Sequence, residues 1–142
     1  MRILNSILLT FTVFCLTACT ATYTPAQDEA TAKLNLRGMA MGGSFQKRFC
    51  HNGSFSFPKV ADNGYGLIPA GKRITVEGSY TDDRRSCSAY ISFIPVAGMS
   101  YYPDFERAGG RCRILIHRED ESQKTGFAFE PSLAPREDCQ SR

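Results

Sequence analysis

Cysteines, histidines and clustered carboxylates are the residues of this chain best equipped for chemistry, and their spacing decides what they can do. Cys50, Cys87, Cys112 and Cys139 stand 37, 25 and 27 residues apart. They contain no C-x-x-C knuckle, and His51 and His117 are the only histidines, so a zinc site is not expected. His51 follows Cys50 directly, but neighbours on a strand point to opposite faces and cannot act as nucleophile and base. Gly66-Leu67-Ile68-Pro69-Ala70-Gly71-Lys72 has the glycine–lysine spacing of a phosphate-binding loop. Arg73 then stands where a Ser or Thr must hold magnesium, and a strand rather than a helix follows. Neither Gly42-Gly43-Ser44 nor Gly53-Ser54-Phe55 continues to the second glycine of a nucleophile elbow. Asp82-Asp83 and Glu119-Asp120-Glu121 fall in turns, where carboxylate runs are ordinarily solvated. No catalytic residue, metal or cofactor is expected, and the chain does not read as an enzyme.

Binding is better provided for. Among Arg107, Arg111, Arg113 and Arg118, the pair Arg111 and Arg113 repeats at strand spacing, opposite in parity to Cys112, Ile114 and Ile116. Tyr90 and Tyr102 have outward parity on neighbouring stretches. Planar guanidinium groups beside tyrosines can hold acidic groups, glycans or a protein partner. The same residues would also suit an ordinary solvated sheet face. The expectation is a binding face containing Arg111, Arg113, Tyr90 and Tyr102.

The elements that must position these groups are strands. From Leu34 onward the apolar period is two, with no helical stripe. Ile74 and Val76 share a face against Arg73, Thr75 and Glu77. Cys87, Ala89, Ile91 and Phe93 share another, as do Cys112, Ile114 and Ile116. Turn signals separate the runs: Asp62-Asn63-Gly64, Pro69-Ala70-Gly71, the charged stretch Tyr80 to Arg85, and Gly109-Gly110. Phe127 and Phe129 mark a last short strand. Six or seven short strands of this kind predict an all-β domain, an antiparallel sandwich or small barrel. Cys87 and Cys112 both lie on apolar faces, so both sulfurs point inward and can meet. That pairing leaves Cys50 for Cys139.

Composition narrows the setting. The chain has 142 residues, with 17 Lys and Arg against 14 Asp and Glu, a formal charge of +3. One domain fits this length, and a nucleic-acid partner would call for a more basic chain. Met1-Arg2 opens a 16-residue apolar run from Ile3 to Ala18, short of the roughly 18–20 residues that span a bilayer as a helix. The run closes on Leu16-Thr17-Ala18-Cys19, which resembles a bacterial lipobox at every position. The resemblance implies a signal peptide over 1–18 that carries away Arg2 and Cys15. It also implies a lipid on Cys19, permanent anchoring through three acyl chains, and a tether over 19–33. Thr20, in place of the aspartate that retains such proteins in the inner membrane, implies the outer membrane with the domain in the periplasm. An oxidising compartment suits disulfides.

Phe93-Ile94-Pro95-Val96-Ala97-Gly98-Met99-Ser100-Tyr101 is similar to the F-x-P-x-A-G-x-x-Y turn of small bacterial lipoproteins and of PEGA-like and transthyretin-like β modules. The likeness covers about residues 67–117 and implies a small antiparallel β-sandwich, Ig-like or transthyretin-like, over 34–130, followed by a tail over 131–142. It carries no catalytic residue. The functional expectation is a non-catalytic binding or structural lipoprotein, with the membrane and an envelope protein as partners and no nucleic acid. The alternatives are an inhibitor or accessory subunit of an envelope complex, of the lysozyme-inhibitor kind though without its S-A-S-G-A-x-Y signature, and an envelope hydrolase.

Overall fold

A computed structural model of the protein describes residues 21–37, 44–61, 63–135 and Cys139. The lipobox-like segment and Cys19 lie outside the described residues. Eleven strands and no helix occur among those described. They are β1 (Thr22–Tyr23), β2 (Thr31–Asn35), β3 (Ser44–His51), β4 (Ser54–Val60), β5 (Tyr65–Pro69) and β6 (Ile74–Thr81). The rest are β7 (Ser86–Phe93), β8 (Ser100–Ala108), β9 (Arg111–Glu119), β10 (Phe127–Phe129) and β11 (Ala134–Pro135). The long central strands form where β-branched and aromatic residues alternate with polar ones, which suits a pleated surface with one buried face.

Ten of them follow one hydrogen-bonded path, β10-β9-β8-β2-β5-β4-β3-β6-β7-β11, with β1 joined to β4. Most pairs are antiparallel, but β1 runs parallel to β4 and β2 parallel to β8. The sheet is therefore mixed, which corrects the expectation of a purely antiparallel domain. The cause lies in the stretch read as a tether. From Thr22 it is built into the sheet: β2 lies between β5 and β8, with Ala32 and Leu34 in the core. Its small side chains carry little hydropathy, and main-chain bonds hold it instead, from Lys33 N–H to Met99 O and from Ala70 N–H to Ala30 O. A long connection separates β2 from β8, as a parallel pair requires.

The sheet curls into a half-barrel. β4 changes partner along its length, pairing with β3 at 54–56 and with β5 at 59–60, with buried Pro58 between. Proline has no N–H to give a ladder, so it suits the corner. The curl brings β6 and β7 over β8 and β9 around a core that includes Leu34, Phe49, Ile68, Val76, Phe93, Tyr101 and Ile116. β7 and β9 are not hydrogen-bonded to each other. Across this seam Cys87 is bridged to Cys112, with Cα atoms 6.1 Å apart. The bridge closes a loop of 25 residues, worth roughly 3 kcal/mol in a chain-entropy account. Cys50 is bridged to Cys139 at 5.4 Å, fastening the C-terminal segment to β3.

Candidate functional site

The ladder between β8 and β9 sets Tyr102 opposite His117, Glu106 opposite Arg113 and Ala108 opposite Arg111. Tyr102, Arg113 and Arg111 therefore share the outer face, but they are strung along it. Arg113 is paired with Glu106, both well exposed, so little stabilisation or free charge is left there. Tyr90 comes near Arg113 only across the seam, where the two line a shallow hollow of about 490 Å³. Otherwise Tyr90 belongs to a different cluster. Its hydroxyl donates to Glu77 Oε1 at 3.3 Å, while Arg48 Nε donates to Glu77 Oε2 and the guanidinium lies 4.3 Å from the centre of the Phe55 ring. Burial, and then the Glu77 carboxylate, push the Tyr90 hydroxyl above the ordinary phenol range. The four expected binding residues do not form one patch.

The other arginines are also dispersed. Arg107 lies over the Tyr80 ring, 4.5 Å from its centre, and reaches Asp82 Oδ2 at 3.2 Å. The Arg84 N–H, with help from Arg107 and Tyr80, holds the Asp82 carboxyl down to about 2. Arg118 shares the inward parity of Ile114 and Ile116, and its Nη1 stands 3.9 Å from Glu130 Oε2. Glu130 is only 3% exposed, and its Oε1 accepts from the N–H and hydroxyl of Ser132. Cys50 is a disulfide partner, which removes the thiol from any pairing with His51. Among the described residues, no three His, Cys, Asp or Glu side chains are grouped to hold a metal ion.

The most developed recess lies at the Tyr102 end of the outer face. In β10, Phe127 stands opposite Glu119 and Phe129 opposite His117, so both rings face out. The intervening Ala128 pairs with inward-facing Arg118, and Glu130 beyond it is buried. The polarity of this stretch is thus inverted: Glu130, the residue after β10, is 3% exposed while Phe127 is 42% and Phe129 61% exposed. Phe127 meets Tyr102 edge-on, with ring centres 4.8 Å apart, and Phe129 tilts over His117 at 4.6 Å. These four rings, with Gln123 and Thr125 on the turn between β9 and β10, line a hollow of about 710 Å³. Tyr65 supports Tyr102 from behind, hydroxyl to hydroxyl at 2.8 Å, and the Tyr102 hydroxyl is bonded to Glu119. Burial first, then Glu119 and Tyr65, push the Tyr102 hydroxyl well above its usual range, so it remains a proton donor.

Of the residues expected to bind, only Tyr102 lines this hollow. Phe127 and Phe129 were legible as a strand, but their parity alone could not say which face they took. Ala128 and Glu130 share the other face, and nothing in the sequence says which of the two faces is covered. Compared with protein-family models, curated proteins and solved structures, the chain matches none of them.

Proposed function

We propose that the protein is an outer-membrane lipoprotein whose β domain faces the periplasm as a non-catalytic binding module, with the aromatic hollow of β8–β10 as its recognition surface. The inverted polarity of β10 is the observation that carries this reading. Two exposed phenylalanines beside a buried glutamate contradict the folding preference of both residue types, and such local violations concentrate at functional surfaces. A concave, mostly apolar recess with a few polar groups is the common form of a ligand site. The finer classification as a PEGA-like or transthyretin-like sandwich draws support from the two halves of the curled sheet sharing one core.

The anchor rests on Leu16-Thr17-Ala18-Cys19, with lipid on the Cys19 sulfur, and on Thr20 for the outer membrane. Cys19→Ala should leave the protein unlipidated and outside the mature outer-membrane fraction; a mature, normally fractionating variant would refute the anchor. Recognition is tested by retention of isolated envelope material on the immobilised full chain in lipid nanodiscs. Wild type should retain it and Phe127→Ser/Phe129→Ser should not. Equal retention would remove the hollow from the function.

A further inference from the structure

We infer that the hollow takes a neutral glycan, whose sugar rings lie against Phe127, Phe129 and Tyr102 while its hydroxyls meet His117 and Gln123. The inference rests on the hollow being the recognition surface. A sugar ring presents a flat patch of C–H bonds encircled by hydroxyls. Those C–H groups are weakly positive and seat on the electron-rich face of an aromatic ring, which is also apolar enough to gain from losing water. Phe129 and Phe127 offer such surface without disturbing the core, because both already stand in solvent.

The walls decide the charge of the ligand. Tyr102, His117, Gln123, Thr125, Phe127 and Phe129 include no carboxylate and no lysine or arginine. The Glu119 carboxylate is bonded to the Tyr102 hydroxyl. An anionic ligand would give up its hydration with no lysine or arginine in the walls to replace it, and that loss is large for a charge. A neutral ligand with many weak polar groups fits the amide and imidazole present.

Backbone geometry favours a glycan over an extended peptide. A peptide would dock by adding a strand to the free edge of β10. At Phe127 that edge is occupied: the Thr125 hydroxyl accepts from the Phe127 N–H at 3.4 Å and donates to its carbonyl at 3.1 Å. A ladder cannot start there, whereas ring faces remain accessible. The recess is broad enough for more than one sugar unit, so a chain rather than a monosaccharide is the fitting ligand.

Calorimetric titration of the full chain in lipid nanodiscs tests this. The probes are the β-1,4-linked tetramer of N-acetylglucosamine, cellotetraose, and an uncharged apolar hexapeptide. At least one oligosaccharide should bind saturably below ~10 mM, the weak end of specific binding. Phe129→Ala should weaken it at least ~10-fold, as loss of a central aromatic contact does. Arg111→Ala/Arg113→Ala should leave it within about 2-fold, since these side chains lie outside the hollow. Oligosaccharide binding that survives Phe129→Ala lies elsewhere and overturns the inference. Phe129-dependent binding of the hexapeptide alone keeps the recognition surface and overturns the glycan. If no oligosaccharide binds, the glycan is overturned, and if envelope retention also ignores Phe127→Ser/Phe129→Ser, the recognition reading falls with it.

Discussion

Arg48, Glu77 and Lys47 carry the electrostatics of the fold. Glu77 is 3% exposed on the outer side of β6, and Arg48 is its counter-ion. Arg48→Met would leave that carboxylate buried without a cation, at a cost of about 2–3 kcal/mol, below the full range for buried pairs because Arg48 is partly solvated. Urea denaturation should show this loss, and in a Glu77→Gln background the same change should cost much less. Lys47 points to the core side, with Nζ donating to the carbonyls of Asn35 at 3.1 Å and Arg37 at 3.3 Å. Burial pushes its ammonium down to about 8 from the ordinary 10.5. The unfolded chain therefore holds this proton more tightly than the folded one. Lys47 weighs least on stability above pH 10.5; its cost grows as pH falls from 10.5 towards 8 and levels off below that, at on the order of 3 kcal/mol. The stability difference between Lys47→Met and wild type should accordingly shrink between pH 8 and 10; a pH-independent difference would contradict it. The inward parity of Cys87 and Cys112 was legible because strand period is two. Burial of Glu77 was not, since Arg48, Phe55 and Tyr90 come to it from three other strands.

At the scale of elements, the curl depends on one close approach. Gly78 in β6 faces β8 and β9, and a Cβ there would stand 2.8 Å from Phe105 Cδ2 and 3.3 Å from Ile114 Cδ1. Gly78→Ala should therefore destabilise by about 1–3 kcal/mol, although alanine suits a strand no worse than glycine. Thermal denaturation reads it directly, and an unchanged midpoint would mean the two halves of the sheet are not held this tightly. The strands β6 to β9 could be read from alternation because each has one clean apolar face. β1 and the part of β2 before Leu34 could not, because threonine, alanine and lysine mark no strong apolar face and their place is set by main-chain bonding to distant partners. β10 was visible as Phe127 and Phe129. Its inversion was not, because the buried Glu130 is met by Ser132 beyond the strand and by Arg118 of the neighbouring one.

For the whole molecule, the account is of a domain closed by two disulfides that presents an aromatic recess from one end of its outer face. Neither Phe127 nor Phe129 belongs to the buried core, so neither ring is needed to fill it. Replacing exposed residues away from such a role changes stability by no more than ~0.5 kcal/mol, which lets function be tested without unfolding the protein. The most direct test is photo-crosslinking in living cells, with benzoylphenylalanine replacing Phe129 in one strain and Val60 in another. Val60 is a fair control because it is 65% exposed and lines no part of the aromatic hollow. The account predicts a discrete envelope adduct from position 129 and none from position 60. Adducts of equal yield from both positions, or none from 129 in a folded protein, would contradict it.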